Sequence, residues 1–191
     1  MDGWAKAIPV LHTKRLVLRP LRLEDAPALL RCWSDARTAR WLGIPPIETA
    51  EEASALIALL LQLAGEEQSL RWSVALPDGE ALGTCGLNFW QLEGAYRGEL
   101  GCELAPDSWG RGYMHEALQE VLRFGFGTMG LNRLEAYCHP DNARAARLFE
   151  RLGFVREGVL RQYRHTADGF QDAAVYALLR SEWDAKWPSD R

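Results

Sequence analysis

The stretch Gly98-Glu99-Leu100-Gly101-Cys102-Glu103-Leu104-Ala105-Pro106-Asp107-Ser108-Trp109-Gly110-Arg111-Gly112-Tyr113-Met114-His115-Glu116-Ala117 decides the fold. Its first part reads as a strand that stops at Pro106, a residue with no N–H to donate to a ladder. Its last part opens a long helix reaching about Met129. The apolar face there is Met114, Leu118, Val121, Leu122, Gly125 and Met129, spaced at a period of about 3.6 residues. Between strand and helix, Gly110 and Gly112 let the backbone turn sharply and come close to a ligand. Amide N–H groups are left free at the positive end of a helix, which makes an anion site suited to phosphate or pyrophosphate. A tight connection alone also calls for glycine, so the loop needs support from the rest of the chain. A nucleotide P-loop is excluded because no Gly-Lys-Ser/Thr follows, and the third glycine of the dinucleotide fingerprint is missing.

Length and composition narrow the class. The 191 residues suit one domain, 1–191, with a core over 13–183 and tails at 1–12 and 184–191. With 48% apolar and 25% charged residues the chain is that of a soluble globular protein. A net charge of −4 gives no general basic field for nucleic acid, yet is compatible with an acidic mouth for a cationic substrate. Cys32, Cys85, Cys102 and Cys138 have no C-x-x-C pairing or metal-ligand spacing, and three of the four lie in apolar, strand-like runs. They read as reduced, buried thiols in a cytoplasmic protein with no metal. Residues 1–12 lack the apolar core of a signal peptide, and the apolar run from Leu56 to Leu61 is too short to span a membrane.

Along the chain, Thr13–Pro20 reads as a first strand and Leu23–Ser34 as a helix with Pro27 near its start. Pro45-Pro46 ends an irregular stretch. Thr49 and Glu52 form a capping box for a second helix to about Leu63, closed by Gly65. Leu70–Ala75 and Ala81–Trp90 are strands joined by a turn over Pro77–Glu80. A strand over Arg133–Cys138 and a short helix over Ala143–Leu152, stopped by Gly153, come next. A hairpin, Phe154–Tyr163 and Phe170–Leu179, turns at Ala167-Asp168-Gly169. The tail from Ser181 carries two tryptophans and is expected to fray. The architecture expected is α/β, a central mixed sheet with helices on both faces.

Taken together these residues resemble the GNAT superfamily of acyl-CoA N-acyltransferases, over Thr13 to about Trp183. The resemblance rests on Thr13–Arg19, Glu99–Leu104, Trp109–Tyr113, Glu116–Leu118, Asn142 through Phe154, and Glu157-Gly158 in that order. It is nearest to the branch that acetylates N-terminal amines of ribosomal proteins. The resemblance implies a mostly antiparallel mixed sheet with a splayed strand pair for the pantetheine arm, and acetyl-CoA as co-substrate. It places the cofactor on Leu104, Trp109, Gly110, Arg111, Gly112, Tyr113, Met114 and His115, with Asn142, Ala145 and Phe149 from the short helix. The backbone N–H of Leu104 is then the oxyanion donor to the thioester carbonyl. Trp109 and Met114 depart from the usual ends of the loop motif. Ala145 stands where the ribosomal branch often has serine, and Phe149 where many relatives have a proton-donating tyrosine.

The candidate base is Glu103 first and Glu135 second, with Glu99 also considered. Glu135, Tyr137 and His139 share one strand parity, and Tyr137 is a candidate proton shuttle. Trp41, Trp72 and Trp90 are candidate walls of the acceptor site. Deprotonating an α-amine of pKa about 8 costs about 1.4 kcal/mol at pH 7, against about 4.6 for a lysine. A site without the tyrosine therefore favours an α-amine, most simply a protein N-terminus of the ribosomal type. Two other readings stand beside it: a small-amine acetyltransferase, and an acyl-CoA-binding sensor that has lost catalysis. The expected partners are the thioester and its amine acceptor, with no nucleic acid or membrane; a homodimer is left open.

Overall fold

Among the described residues, strands β1 (Leu11–His12), β2 (Val17–Pro20), β3 (Ser69–Ala75), β4 (Ala81–Gln91), β5 (Arg97–Leu104), β6 (Arg133–Cys138), β7 (Val155–Thr166) and β8 (Gly169–Leu179) form one sheet. Their order is β1-β2-β3-β4-β5-β6-β8-β7. This computed structural model describes residues 8–43, 47–66, 68–166 and 169–187. The Pro45-Pro46 stretch, the first two residues of the Ala167-Asp168-Gly169 turn and the chain ends at 1–7 and 188–191 lie outside the described residues. Every neighbouring pair is antiparallel except β5 with β6. That exception follows from the connection, because a helix carries the chain back over the sheet between the two strands.

Helices cover both faces. The helices α1 (Ala26–Trp33) and α3 (Ala50–Gly65) pack on one face, around Leu29, Trp33, Ala53 and Ile57. The Thr49–Glu52 capping box at the start of α3 is formed as its spacing requires. The opposite face carries α4 (Tyr113–Arg123) and α5 (Ala143–Leu152), whose apolar stripes join Leu87, Leu100, Leu134 and Leu178 in the larger core. No described helix is long and apolar enough to cross a membrane.

Four sequence expectations are corrected. The first strand is shorter than Thr13–Pro20, because Glu116 at the start of α4 draws the chain out of the sheet. Its carboxylate accepts from Thr13 Oγ1 (2.5 Å), Arg15 N (2.8 Å) and Arg15 Nε (2.7 Å). The helix expected over Leu23–Ser34 begins as a single 3-10 turn, Leu23–Asp25, ahead of α1. The helix after the glycine loop does not run regularly to Met129. It widens into a π-helical turn at Phe124–Thr128, where the consecutive residues Phe124, Gly125 and Phe126 are all buried. An even 3.6-residue turn spreads three successive side chains around the axis, and the wider turn lets all three reach the core.

The described part of the C-terminal segment, through Trp187, does not fray from Ser181. A last helix α6 (Arg180–Lys186) buries Trp183 to 6% exposure against Phe126, and Arg180 anchors its start on the carbonyls of Phe126 and Leu131. A further helix, α2 (Ala36–Leu42), had no counterpart in the sequence reading. Asp35 caps it through Arg37 N (2.9 Å), and Gly43 ends it in the left-handed region. Those two residues are the signal that could have found it.

Candidate active site

The β5–β6 pair holds together only over Arg97–Leu100 against Arg133–Ala136. Beyond Leu100 the strands diverge, so Gly101–Leu104 and Tyr137–Cys138 present unpaired edges to a gap. Ala105 N donates to Leu82 O on the β4 side (2.8 Å), so strand alternation turns the N–H and C=O of Leu104 toward the gap. The Leu104 carbonyl is satisfied there by the Trp109 indole N–H at 2.7 Å. Its N–H stays directed into the gap, where an extended ligand arm can pair and a carbonyl can be polarised. The departure at position 109 thus serves the strand edge.

A cleft of about 550 Å³ runs from this gap to the glycine loop. Gly110 and Gly112 have φ of +76° and +78°, backbone conformations that expose amide N–H groups at the head of α4 and strain any L side chain. The loop is braced from outside by Arg15, whose Nη1 donates to the Arg111 carbonyl (2.9 Å). Of the cofactor residues expected from sequence, Leu104, Trp109, Gly110, Gly112, Tyr113, Met114, His115, Asn142, Ala145 and Phe149 all line the cleft, and Arg111 does not. The side of α5 facing the cleft adds Arg144, Arg147 and Arg151, and the Arg144 guanidinium lies 3.9 Å from the Trp109 ring centre. Sequence reading passed these arginines over, although their spacing of three and four places them on one helix face. Cationic groups beside exposed amides at a helix start suit a polyphosphate ligand. Burial, with the charges of Arg151 and Lys186, holds His115 below the usual histidine range.

Asn142 caps α5 by accepting from Ala145 N at 3.1 Å. Phe149 is 4% exposed and packs on Phe154 and Tyr176, with ring centres 5.8 and 5.5 Å away. Its ring fills the core while its edge borders the cleft. Phe149→Leu is expected to lower stability by about 1 kcal/mol with little change in turnover per folded molecule. Thermal melts and kcat on the folded fraction check this; a hundredfold fall in kcat would instead show that the ring positions a reactant.

The candidate carboxylates are held differently. The Glu103 side chain is 8% exposed and takes hydrogen bonds from Arg71, Thr84 and the Trp33 indole. Glu135 accepts from Arg133 Nε (2.8 Å) and from the Tyr137 hydroxyl (2.8 Å) and lies outside the residues lining the cleft. Burial pushes its carboxyl up, but those hydrogen bonds outweigh burial and hold it below the ordinary value. Tyr137 lines the cleft with its ring stacked 5.1 Å from that of Tyr163; burial and the bond to Glu135 push its hydroxyl pKa up. Glu99 also lines the cleft, and its side chain is 24% exposed. Its nearest cation is Arg164 at 3.8 Å, and no hydrogen bond holds its carboxylate among the described residues. Burial raises the Glu99 pKa, with Arg164 opposing and Glu135 reinforcing. A carboxylate that is reachable, held by one loose ion pair and more basic than usual has the properties of a proton acceptor.

The helix α2 adds Thr38, Trp41 and Leu42 to the lining of the cleft. Of the three tryptophans considered as walls, Trp41 lines the cleft, whereas Trp72 is fully buried and Trp90 packs against the core. Cys32, Cys85 and Cys138 are buried; Cys102 is partly buried and its thiol pKa is pushed up to about 12, chiefly by burial. No group of residues able to hold a metal occurs among the described residues.

The chain is similar to several known proteins. A family model described as "Acetyltransferase (GNAT) domain" matches residues 15–155. An uncharacterized N-acetyltransferase, p20, of Bacillus licheniformis is 35% identical over 91% of this chain and 97% of its own length. The [ribosomal protein uS5]-alanine N-acetyltransferase of Escherichia coli is 25% identical over 96% of this chain and 98% of its own. Mycobacterium smegmatis RimJ, solved in complex with CoA-disulfide, superposes with a TM-score of 0.82 over 98% of this chain and 91% of its own; at 22% identity that likeness concerns the fold alone. The splayed strands, the glycine loop at the head of α4 and the matched residues lead to one conclusion: the chain belongs to the GNAT acetyltransferases, enzymes that transfer acetyl from acetyl-CoA.

Proposed function

We propose that this enzyme acetylates the α-amine of a protein or peptide N-terminus, with Glu99 as the general base. The observation that carries the reading is the pairing of Glu99, which no hydrogen bond holds among the described residues, with a cleft whose tyrosine position is filled by the buried Phe149. Such a site removes a proton readily from an amine that is already partly neutral, and has little means to neutralise a lysine. The E. coli relative that acts on a ribosomal-protein alanine is consistent with this class of acceptor.

In this reading acetyl-CoA lies with its pyrophosphate on the Gly110–Met114 amides and the α5 arginines, and its pantetheine arm along the open edge of β5. Asn142 and Ala145 flank the arm. The Leu104 N–H donates to the thioester oxygen as negative charge develops there. The neutral amine attacks the carbonyl carbon, Glu99 takes the amine's surplus proton directly or through water, and the C–S bond breaks. The departing thiolate is a tolerable leaving group, near the ordinary thiol range of about 8.5. Glu103, paired with Arg71, shapes the floor and does not exchange the proton. The chain acts as one domain across 1–191.

The test is an acceptor screen. Acetyl-CoA is mixed with peptides whose N-terminus is free or blocked, and thiol release and the site of acetylation are measured. Free N-termini are expected to react about two orders of magnitude faster than lysines in blocked peptides, following their neutral fractions at pH 7. Equal reaction at lysine, or preference for small diamines, would replace this reading with the small-amine one.

A further inference from the structure

Gly101 lies two residues after Glu99, on the same face of β5, and lines the cleft. A Cβ at that position would stand 3.0 Å from Arg71 Nη1 and 3.0 Å from Asn88 Nδ2. Two nitrogens, each bearing N–H groups, therefore converge on the space above the glycine. The rest of each side chain is committed. Arg71 Nε donates to Thr84 Oγ1 (2.8 Å) and Nη2 to Glu103, while Asn88 Oδ1 accepts from Ser69 Oγ (2.8 Å). Arg71 Nη1 and Asn88 Nδ2 make no hydrogen bond among the described residues, and both residues line the cleft. Two donors facing one small space have nothing to give each other; an oxygen placed between them satisfies both. The ion pair with Glu103 balances the charge of Arg71, so the donors add no net positive charge beside the amine.

We propose that Arg71 Nη1 and Asn88 Nδ2 bind the carbonyl oxygen adjacent to the acceptor amine, so that the enzyme takes α-aminoacyl groups and discriminates against amines without that carbonyl. The inference deepens the α-amine reading above and rests on it. In an α-aminoacyl group the oxygen is three bonds from the nitrogen, so with the amine at Glu99 it falls over the neighbouring Gly101. A lysine side chain or polyamine brings only methylenes to this position and strands two donors away from water, a penalty that hydrogen-bonding sites use for selection. Thr38 on α2 also lines the cleft, and its buried Oγ1 has no hydrogen-bond partner among the described residues.

The experiment compares kcat/KM for glycinamide with that for propargylamine, a carbonyl-free primary amine of similar basicity, alongside a free N-terminal peptide. The unaltered enzyme is expected to favour glycinamide by roughly 10- to 100-fold, the loss associated with an unmet hydrogen bond to a charged donor. Asn88→Asp keeps the oxygen that accepts from Ser69 and replaces the free donor with a carboxylate oxygen; Gly101→Ala crowds both donors with a methyl group and blocks the approach of the carbonyl. In both variants the preference should collapse toward unity, and the thermal shift induced by acetyl-CoA reports whether each has folded. Equal use of the two amines by the unaltered enzyme overturns the proposal, as does an intact preference in both folded variants. Failure to acetylate any α-amine, with thiol release on other amines, instead overturns the underlying reading and this inference with it.

Discussion

Replacing Glu99 by Gln lowers kcat for an N-terminal peptide by about 100-fold at pH 7, and by much less at pH 9. General-base assistance is worth roughly 10²- to 10⁴-fold, and the lower end applies because an α-amine of pKa about 8 supplies part of its own neutral form. The unaltered enzyme carries the ionisation of Glu99 on the acid side of its pH–rate profile, shifted upward because burial raises that pKa. In the variant this limb disappears and the rate follows the amine alone, levelling near pH 8. A loss that stays constant from pH 6 to 9 would mean that Glu99 binds a cationic acceptor and does not take its proton.

Stability provides a second readout for the same substitution. The folded state holds the Glu99 proton more tightly than the unfolded chain does. Glu99 therefore favours folding most at low pH, and this contribution falls away as pH rises from the ordinary carboxylate range through the raised folded value. Gln removes that dependence, so the variant should be at least as stable as the parent at pH 7. Glu103→Gln should behave in the opposite way. It breaks a partly enclosed pair with Arg71, so it should destabilise the fold and lose activity with no change in the shape of the pH profile. Melts and pH–rate profiles of the two variants, run in parallel, separate the base from the structural carboxylate.

Gly112→Asp abolishes cofactor binding. At 100 times its dissociation constant acetyl-CoA should stabilise the unaltered enzyme by about 2.7 kcal/mol. For a chain of this length that is a melting shift of roughly 5–10 °C. Aspartate brings a carboxylate to the loop proposed above to hold the pyrophosphate. Its Cβ also has to be accommodated at φ +78°, with Arg15 Nη2 3.5 Å away. Gly112→Asn separates these causes, since asparagine tolerates the left-handed conformation and carries no charge. The shift should be partly retained with Asn and absent with Asp. A folded Asp variant with the full shift would place the phosphate site elsewhere.

Local chemistry was enough for much of this molecule. The β6 strand over Arg133–Cys138 and the helix over Ala143–Leu152 have the limits their sequence signals predict, because periodicity, the Asn142 cap and the Gly153 stop act within a few residues of one another. The glycine loop was legible for the same reason: positive φ at Gly110 and Gly112 is a property of the residue type. The long helix was legible only as far as Arg123, since its π turn answers to the core it enters.

Which carboxylate stands free in the cleft was another matter. Glu99, Glu103 and Glu135 are alike as strand residues, and sequence order put Glu103 first. Glu103 meets Arg71 from β3, Thr84 from β4 and Trp33 from α1, whereas Glu135 meets Arg133 and Tyr137 on its own strand; Glu99 has only a loose ion pair with Arg164 at 3.8 Å. The donors over Gly101 and the α2 residues that line the cleft likewise come from separate parts of the chain. The sequence by itself determined the family, the glycine loop and the strand before it, through interactions between near neighbours. Only the tertiary structure decided which side chains remain unpaired within the cleft, because a hydrogen-bond partner contributed by a distant strand or helix leaves no trace in local spacing.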